Sequence, residues 1–308
     1  MTQKEQKRTM AGIASLVGAF LIWGTSPIYF KCLKAVPPFE ILMHRMIWSF
    51  VFLMPLVFFL GQWREFLYAL KNRYTLGILL GTTLLVSVNW FLFIWAINND
   101  QILQTSLGYY INPLVNVLLG RIFLKERLRS AQRAAVILAA LGVGYLTVQF
   151  GQVPWISLAL ALTFGFYGLI RKMAPVGALV GLTLETLLMC GPALTYLFYI
   201  NAHGGGAFFR TGTRIDLLLM AAALVTAFPL LLFTEGARRI HFSTVGILQY
   251  LAPSCTFILA VFIYGEPFSV AKLWTFILIW IALIIYSTDS ILNFRKHGFE
   301  PRQSPQKR

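Results

Sequence analysis

Ionisable side chains are scarce in this chain, and acidic ones are scarcer still. Charged residues make up 12% of the 308 residues and hydrophobic ones 58%, with 11 Asp and Glu against 26 Lys and Arg. A soluble domain carries about 25% charge. The composition therefore excludes a soluble globular protein and makes lipid the solvent for most of the chain. The cysteines, Cys32, Cys190 and Cys255, share no spacing that suggests a disulfide framework or a metal site. His44, His203, His241 and His297 also lie far apart. No HExxH, Walker A or GxSxG pattern stands out, which argues against a membrane-embedded enzyme and an ATP-driven pump alike, with no cofactor expected. The first apolar stretch is followed by no small-residue cleavage signature but by further spans, so it reads as an anchor helix rather than a signal peptide.

Apolar runs fill the space left by charge. With mean hydropathy +0.72, the chain is expected to be an all-α integral membrane protein. Runs long enough for a core of about 30 Å fall near 11–30, 40–60, 74–97, 103–122, 131–149, 154–171, 178–200, 214–237, 243–264 and 271–291, ten spans in all. A pI near 10.0 would suggest nucleic acid in a soluble protein. Here the basic residues sit mostly between apolar runs, where they act as topology signals and lipid-headgroup contacts, so no nucleic-acid partner is expected. With the N-terminus inside, the inner segments hold Lys4, Lys7, Arg8, Arg64, Lys71, Arg73, Lys125, Arg127, Arg129, Arg133, Arg171, Lys172, Arg238, Arg239 and the basic tail. The outer segments hold only Lys31, Lys34, Arg210, Arg214 and Lys272. Both termini are expected in the cytoplasm of a bacterial inner-membrane protein.

An offset of 140 residues pairs Tyr110 with Tyr250, Pro113 with Pro253 and Glu126 with Glu266. Five spans per copy is an odd number, so the second copy must sit upside down relative to the first. The expected architecture is an inverted 5+5 repeat around a central cavity: 1–150, then 151–292, then a basic tail over 293–308 that reads as disordered.

Polar residues inside the spans are the functional candidates. Tyr109, Asn112, Pro113 and Asn116 share one helix face, and Gln249, Pro253 and Thr256 occupy the equivalent positions. Each proline removes an amide donor and frees a carbonyl that must face protein or a cavity, so packing kinks and cavity lining are both open. Arg45 and Glu185, also 140 residues apart, are charges at depth. Substrate or coupling roles stand beside a structural clamp and, for Arg45, snorkelling to the interface. Asn89, Trp90, Trp23, Phe93, Tyr167 and Tyr250 lie well inside spans, where rings suit aromatic or amphipathic solutes or simply pack. The glycines Gly24, Gly165 and Gly168 serve close helix packing, with hinges as the sharper alternative.

The stretches 20–24 (FLIWG), 40–50 (EILMHRMIWSF), 89–99 (NWFLFIWAINN), 106–116 (SLGYYINPLVN) and 166–171 (FYGLIR), then Gln249, Tyr250, Pro253 and 264–266 (YGE), carry a resemblance. Over roughly residues 10–290 the chain closely resembles the RarD subgroup of EamA-type carriers in the drug/metabolite transporter superfamily. The resemblance implies a ten-helix inner-membrane permease whose wider relatives export amino acids and other metabolites. The subgroup's traditional label concerns chloramphenicol. The expected function is a secondary carrier, exporting small amphipathic or aromatic metabolites or drugs such as chloramphenicol. Its expected lining is Asn89, Trp90, Tyr109, Asn112, Asn116, Gln249, Tyr250 and Arg45, with Glu185, Pro113, Pro253 and Trp23 in coupling or gating. An uptake permease of the same architecture, a membrane-embedded enzyme and a non-transporting receptor are the rivals. The expected partners are a small-molecule substrate and the lipid bilayer, and the expected working unit is a monomer, with a dimer as the alternative.

Overall fold

The computed structural model describes residues 3–33, 35–98, 102–151, 154–263 and 270–297. Glu266, the connector at 99–101 and the tail beyond 297 lie outside the described residues. In lipid every backbone polar group must be bonded within its own segment, so long apolar runs become helices. They are α1 (Gln3–Lys31), α2 (Pro38–Phe59), α3 (Trp63–Lys71), α4 (Arg73–Asn98), α5 (Ile102–Phe123), α6 (Ser130–Phe150), α7 (Trp155–Met173), α8 (Ala178–Ala202), α9 (Thr213–Arg239), α10 (Phe242–Gln249), α11 (Leu251–Ile258) and α12 (Val270–His297). A π-helical segment follows α11 over Leu259–Ile263. Among the described residues there is no strand.

Among the described residues, eight helices (α1, α2, α4, α6, α7, α8, α9 and α12) are long and apolar enough to cross a membrane, which makes the chain a multi-pass membrane protein. The other two expected spans are α5 and the run at 243–264. Helix α5 is 22 residues long and carries Gln104, Asn112, Asn116 and Arg121 among its apolar residues. The run at 243–264 is divided at Tyr250 into α10 and α11. Pro253 accounts for the division: it has no amide hydrogen for the Gln249 carbonyl four residues earlier, and its ring crowds that carbonyl. Pro113 lies inside an uninterrupted α5.

Helix α3 is an addition to the sequence reading, which treats the region near 61–73 as a connector. At nine residues it is too short to span, about 14 Å at 1.5 Å per residue. It buries Phe66 and Ala69 while Tyr68 stays exposed. Its Glu65 carboxylate accepts a 2.8 Å hydrogen bond from the Gly177 amide at the start of α8, where a helix N-terminus favours negative charge.

Helix α5 packs on α7 and α10, α1 on α9 and α11, α2 on α8 and α9, α4 on α7 and α8, and α6 on α12. Small residues permit the closest of these approaches. A Cβ at Gly24 would lie 2.6 Å from Cys255 Cβ on α11, and one at Gly165 would lie 2.8 Å from Val115 on α5. Packing thus explains both glycines. The largest apolar cluster is aromatic at its centre, where Trp23 and Phe164 meet Phe233 at ring distances of 5.7 and 5.4 Å.

Candidate functional site

Arg45 emerges from the middle of α2 at a point where four other helices converge. Its Nε donates a 2.6 Å hydrogen bond to Thr226 Oγ1 on α9. The guanidinium stands 5.3 Å from the ring of Phe30 on α1 and 5.3 Å from that of Trp90 on α4. It also interacts electrostatically with Tyr29 and with Tyr109 on α5. Among the described residues no carboxylate forms an ion pair with it. An arginine at this depth costs about 2.5–3.5 kcal/mol on insertion scales, and each ring face returns about 0.5–1 kcal/mol. Arg45 remains partly accessible, and Tyr109 is 50% exposed. The contacts of Arg45 with α1, α4 and α9 turn its side chain toward the neighbouring helices. Snorkelling is thus the weaker account of Arg45.

Glu185 on α8 is handled in the opposite way. Arg171 Nε lies 3.4 Å from its Oε1, Thr82 donates a 2.5 Å hydrogen bond to the same oxygen, and Tyr167 donates to Oε2 at 3.3 Å. Arg171 is fully buried, and its Nη2 donates to the Ala178 carbonyl at 3.1 Å. Position 181 is glycine because a Cβ there would overlap the guanidinium. Between the Arg45 and Glu185 neighbourhoods lies a cavity of about 20 Å³, lined by Ser49, Trp90, Tyr167, Glu185 and Thr226 among others; that is room for about one water.

The amide side chains on α4, α5 and α10 come together as helix ties. Asn89 Nδ2 donates to the Leu160 carbonyl and to Thr163 Oγ1, each at 2.8 Å, and Asn112 Nδ2 donates to the Ala161 carbonyl at 2.6 Å. Asn116 Nδ2 reaches Gln249 Oε1 at 2.7 Å, joining α5 to α10. The hydroxyl of Tyr250, at the α10–α11 break, donates to the Tyr110 carbonyl at 3.2 Å. All five of these tying residues are buried. Asn116 Oδ1 has no partner among the described residues. The structure therefore groups the predicted residues into an open set, Arg45, Trp90 and Tyr109, and a tied set, Asn89, Asn112, Asn116, Gln249 and Tyr250. Trp23 packs on Phe20, Phe164 and Phe233. Pro113 places its carbonyl against Gly246, where a Cβ would come within 2.5 Å.

Thr226, Phe30 and Arg171 are contributors that sequence reasoning missed. Arg171 reads as an inner-surface charge because it ends its span; the requirement of a buried Glu185 for a cation was the signal that could have found it. Lys172 and Arg238 likewise leave the surface role expected of them. Lys172 Nζ donates to the Ala237 and Ile240 carbonyls at the end of α9, where a cation is favoured. Arg238 Nη1 donates to the Ala174 and Val176 carbonyls at 2.8 and 2.7 Å. Glu126, between α5 and α6, accepts hydrogen bonds from the Phe242 amide (2.6 Å), the Ser243 amide (2.8 Å) and the Ser243 hydroxyl (2.7 Å) at the start of α10. Burial alone raises its pKa, yet hydrogen bonds from His241, Ser243 and Phe242 outweigh burial and bring it down to about 2.

The profile of the EamA-like transporter family matches residues 10–148 and again 153–288. An "Uncharacterized transporter" of Vibrio cholerae serotype O1 is 47% identical over 287 residues, 93% of this chain and 95% of that protein. "Protein RarD" of Salmonella typhi is 46% identical over 292 residues, 95% of this chain and 99% of that protein. One solved crystal structure superposes with a TM-score of 0.69 at 18% identity, covering 95% of this chain and 99% of its own, a likeness of fold alone. With a double profile match and relatives of this identity spanning nearly the whole chain, the chain belongs to the EamA-like transporter family.

Proposed function

We propose that the protein is a secondary carrier of the bacterial inner membrane, exporting small amphipathic or aromatic metabolites or drugs by alternating access. The observation that carries this reading is the accessible guanidinium of Arg45, held among Trp90, Phe30 and Thr226 where helices of both halves converge. In this reading ten spans form an inverted 5+5 repeat with both termini inside. The pattern of helix contacts supports it. If α1, α2, α4, α5 and α6 correspond to α7, α8, α9, α10–α11 and α12, then the α5–α7 contact exchanges with α11–α1, α1–α9 with α7–α4, and α2–α9 with α8–α4. The contacts α2–α8, α6–α12 and α5–α10 map onto themselves. Two-fold related halves produce such pairing.

Arg45, Trp90 and Tyr109 line the site in this conformation. Asn89, Asn112, Asn116, Gln249 and Tyr250 join the lining when the two halves rock and their ties open. Pro113, Pro253 and Trp23 serve that motion, and Glu185 acts as a coupling or gating carboxylate. The working unit is a monomer, since one chain holds both halves of a pathway. Chloramphenicol is the drug suggested by the subgroup's label. The test is counterflow in proteoliposomes across a panel of labelled aromatic solutes that includes chloramphenicol. Saturable counterflow of at least one solute, reduced more than folded yield by Asn112→Ala or Gln249→Ala, is expected. Flux that never saturates with any solute overturns the carrier reading.

A further inference from the structure

The geometry points to a monovalent anion, a carboxylate joined to a flat apolar or aromatic body, as the solute that occupies the Arg45 site; this rests on the carrier reading above. The two intramembrane charges at corresponding positions of the halves do not neutralise each other. Glu185 is paired with Arg171 on its own side, at 3.4 Å, and Arg45 is left with no acidic partner among the described residues. The partly accessible guanidinium of Arg45 therefore carries a positive charge that no described carboxylate balances.

The way Arg45 is held fits a ligand. Thr226 Oγ1 is itself anchored, donating to the Ala222 carbonyl at 2.8 Å, and it takes only the Nε hydrogen of Arg45. The two Nη groups make no hydrogen bond with any described residue, and neither is sealed away among the buried unpartnered atoms. That leaves free the end of the guanidinium that grips a carboxylate through two parallel hydrogen bonds. Trp90 and Phe30 approach the same guanidinium, and the half-exposed Tyr109 adds a further ring near it. A solute with a carboxylate at one end and a ring at the other matches both features. A cationic solute meets like charge with no acid to receive it. A neutral one, chloramphenicol included, leaves the positive charge of the guanidinium unbalanced.

A direction of flow follows. An inside-negative potential of about 100 mV favours a monovalent anion outside by about fifty-fold at equilibrium. The membrane potential by itself then favours export of such an anion.

The test uses the full chain in nanodiscs and in proteoliposomes, with 3-phenylpropanoate, 3-phenylpropanamide, 3-phenylpropylamine and chloramphenicol as probes. The carboxylate is expected to bind at least ten-fold more tightly than the amide, the amine or the drug. Arg45→Gln is expected to erase that preference and Arg45→Lys to keep part of it. Trp90→Phe weakens carboxylate and amide alike. If Arg45→Gln fails to fold, Thr226→Val, which frees the guanidinium from its anchor, is expected to lower the carboxylate preference on its own. Tightest binding by the amide or the amine overturns the proposal. So does a preference that survives both Arg45→Gln and Thr226→Val, or wild-type protein that binds none of the four. Flux separates this inference from the reading beneath it. Arg45-dependent anion binding without potential-driven flux sinks the carrier and keeps the anion site; saturable flux indifferent to solute charge does the reverse.

Discussion

Arg45 on α2 and Glu185 on α8 stand 140 residues apart on two helices that pack against each other, yet the protein treats them differently. Glu185 is enclosed by a guanidinium, a threonine hydroxyl and a tyrosine hydroxyl. Arg45 has one hydroxyl and two ring faces and remains partly open. A charge deep in a membrane protein must be compensated or used. The contrast teaches that compensation is what separates the two roles. The Glu185 pair joins α7, α8 and α4, whereas the two Nη groups of Arg45 make no hydrogen bond with a described residue.

The largest expected effect removes compensation on the closed side. Glu185→Ala leaves Arg171 as a fully buried unpaired charge, and breaking such a pair costs about 3–5 kcal/mol. Folded yield on size-exclusion chromatography should collapse. The apolar double replacement Arg171→Met with Glu185→Leu should recover much of it, since paired hydrophobic residues often match a buried ion pair. Transport that stays absent in the refolded double variant would mark a coupling carboxylate; transport that returns would mark a clamp.

Next comes the open side. Arg45→Gln should leave the melting temperature within a few degrees of wild type while lowering saturable transport at least ten-fold. A collapse of folding comparable to that of Glu185→Ala would break the comparison outright.

Gly181→Ala sharpens the same contrast without touching a charge. Its methyl group would displace the Arg171 guanidinium, and overpacking of this kind costs about 1–3 kcal/mol. Thermal unfolding in detergent should show that loss, with the solute preference of the surviving protein unchanged.

Glu126 offers a third solution, compensation by helix amides, and has the smallest expected effect. Its pKa lies at about 2, below the ordinary 4.5. A depressed carboxylate contributes stability that is full above the unfolded pKa and is lost as pH falls through the folded one. Thermal stability should thus decline between pH 4.5 and about 2. In Glu126→Gln, that part of the decline should be absent.

Much of this protein could be read directly from the order of its residues. Ten apolar runs and the matched positions of Tyr110, Pro113, Tyr250 and Pro253 stand in the linear chain. The same-face spacing of Tyr109, Asn112 and Asn116 is there too, and it brought the polar helices to attention. Helix α3 escaped because nine amphipathic residues between two spans look like a polar connector until Phe66 and Ala69 find something to pack on. The break at Tyr250 fits the interruption expected at Pro253, but the one expected at Pro113 does not divide α5. Pro113 and Pro253 are equivalent in sequence, and only their surroundings, including the Tyr250 hydroxyl on the Tyr110 carbonyl, differ. In the sequence Arg171 reads as a surface charge, because position along a span does not tell which way a side chain turns.

By itself the sequence determined that this is a membrane protein, where its apolar segments lie and which polar residues they carry. Lipid enforces those features segment by segment: each run must be long enough, apolar enough and hydrogen-bonded within itself. Tertiary structure alone decided which charges are paired, which amides are spent on neighbouring carbonyls and which proline ends its helix. Each of these depends on a partner brought near from another helix, as Thr226 is to Arg45 and Thr82 to Glu185. No local rule of the chain specifies that encounter.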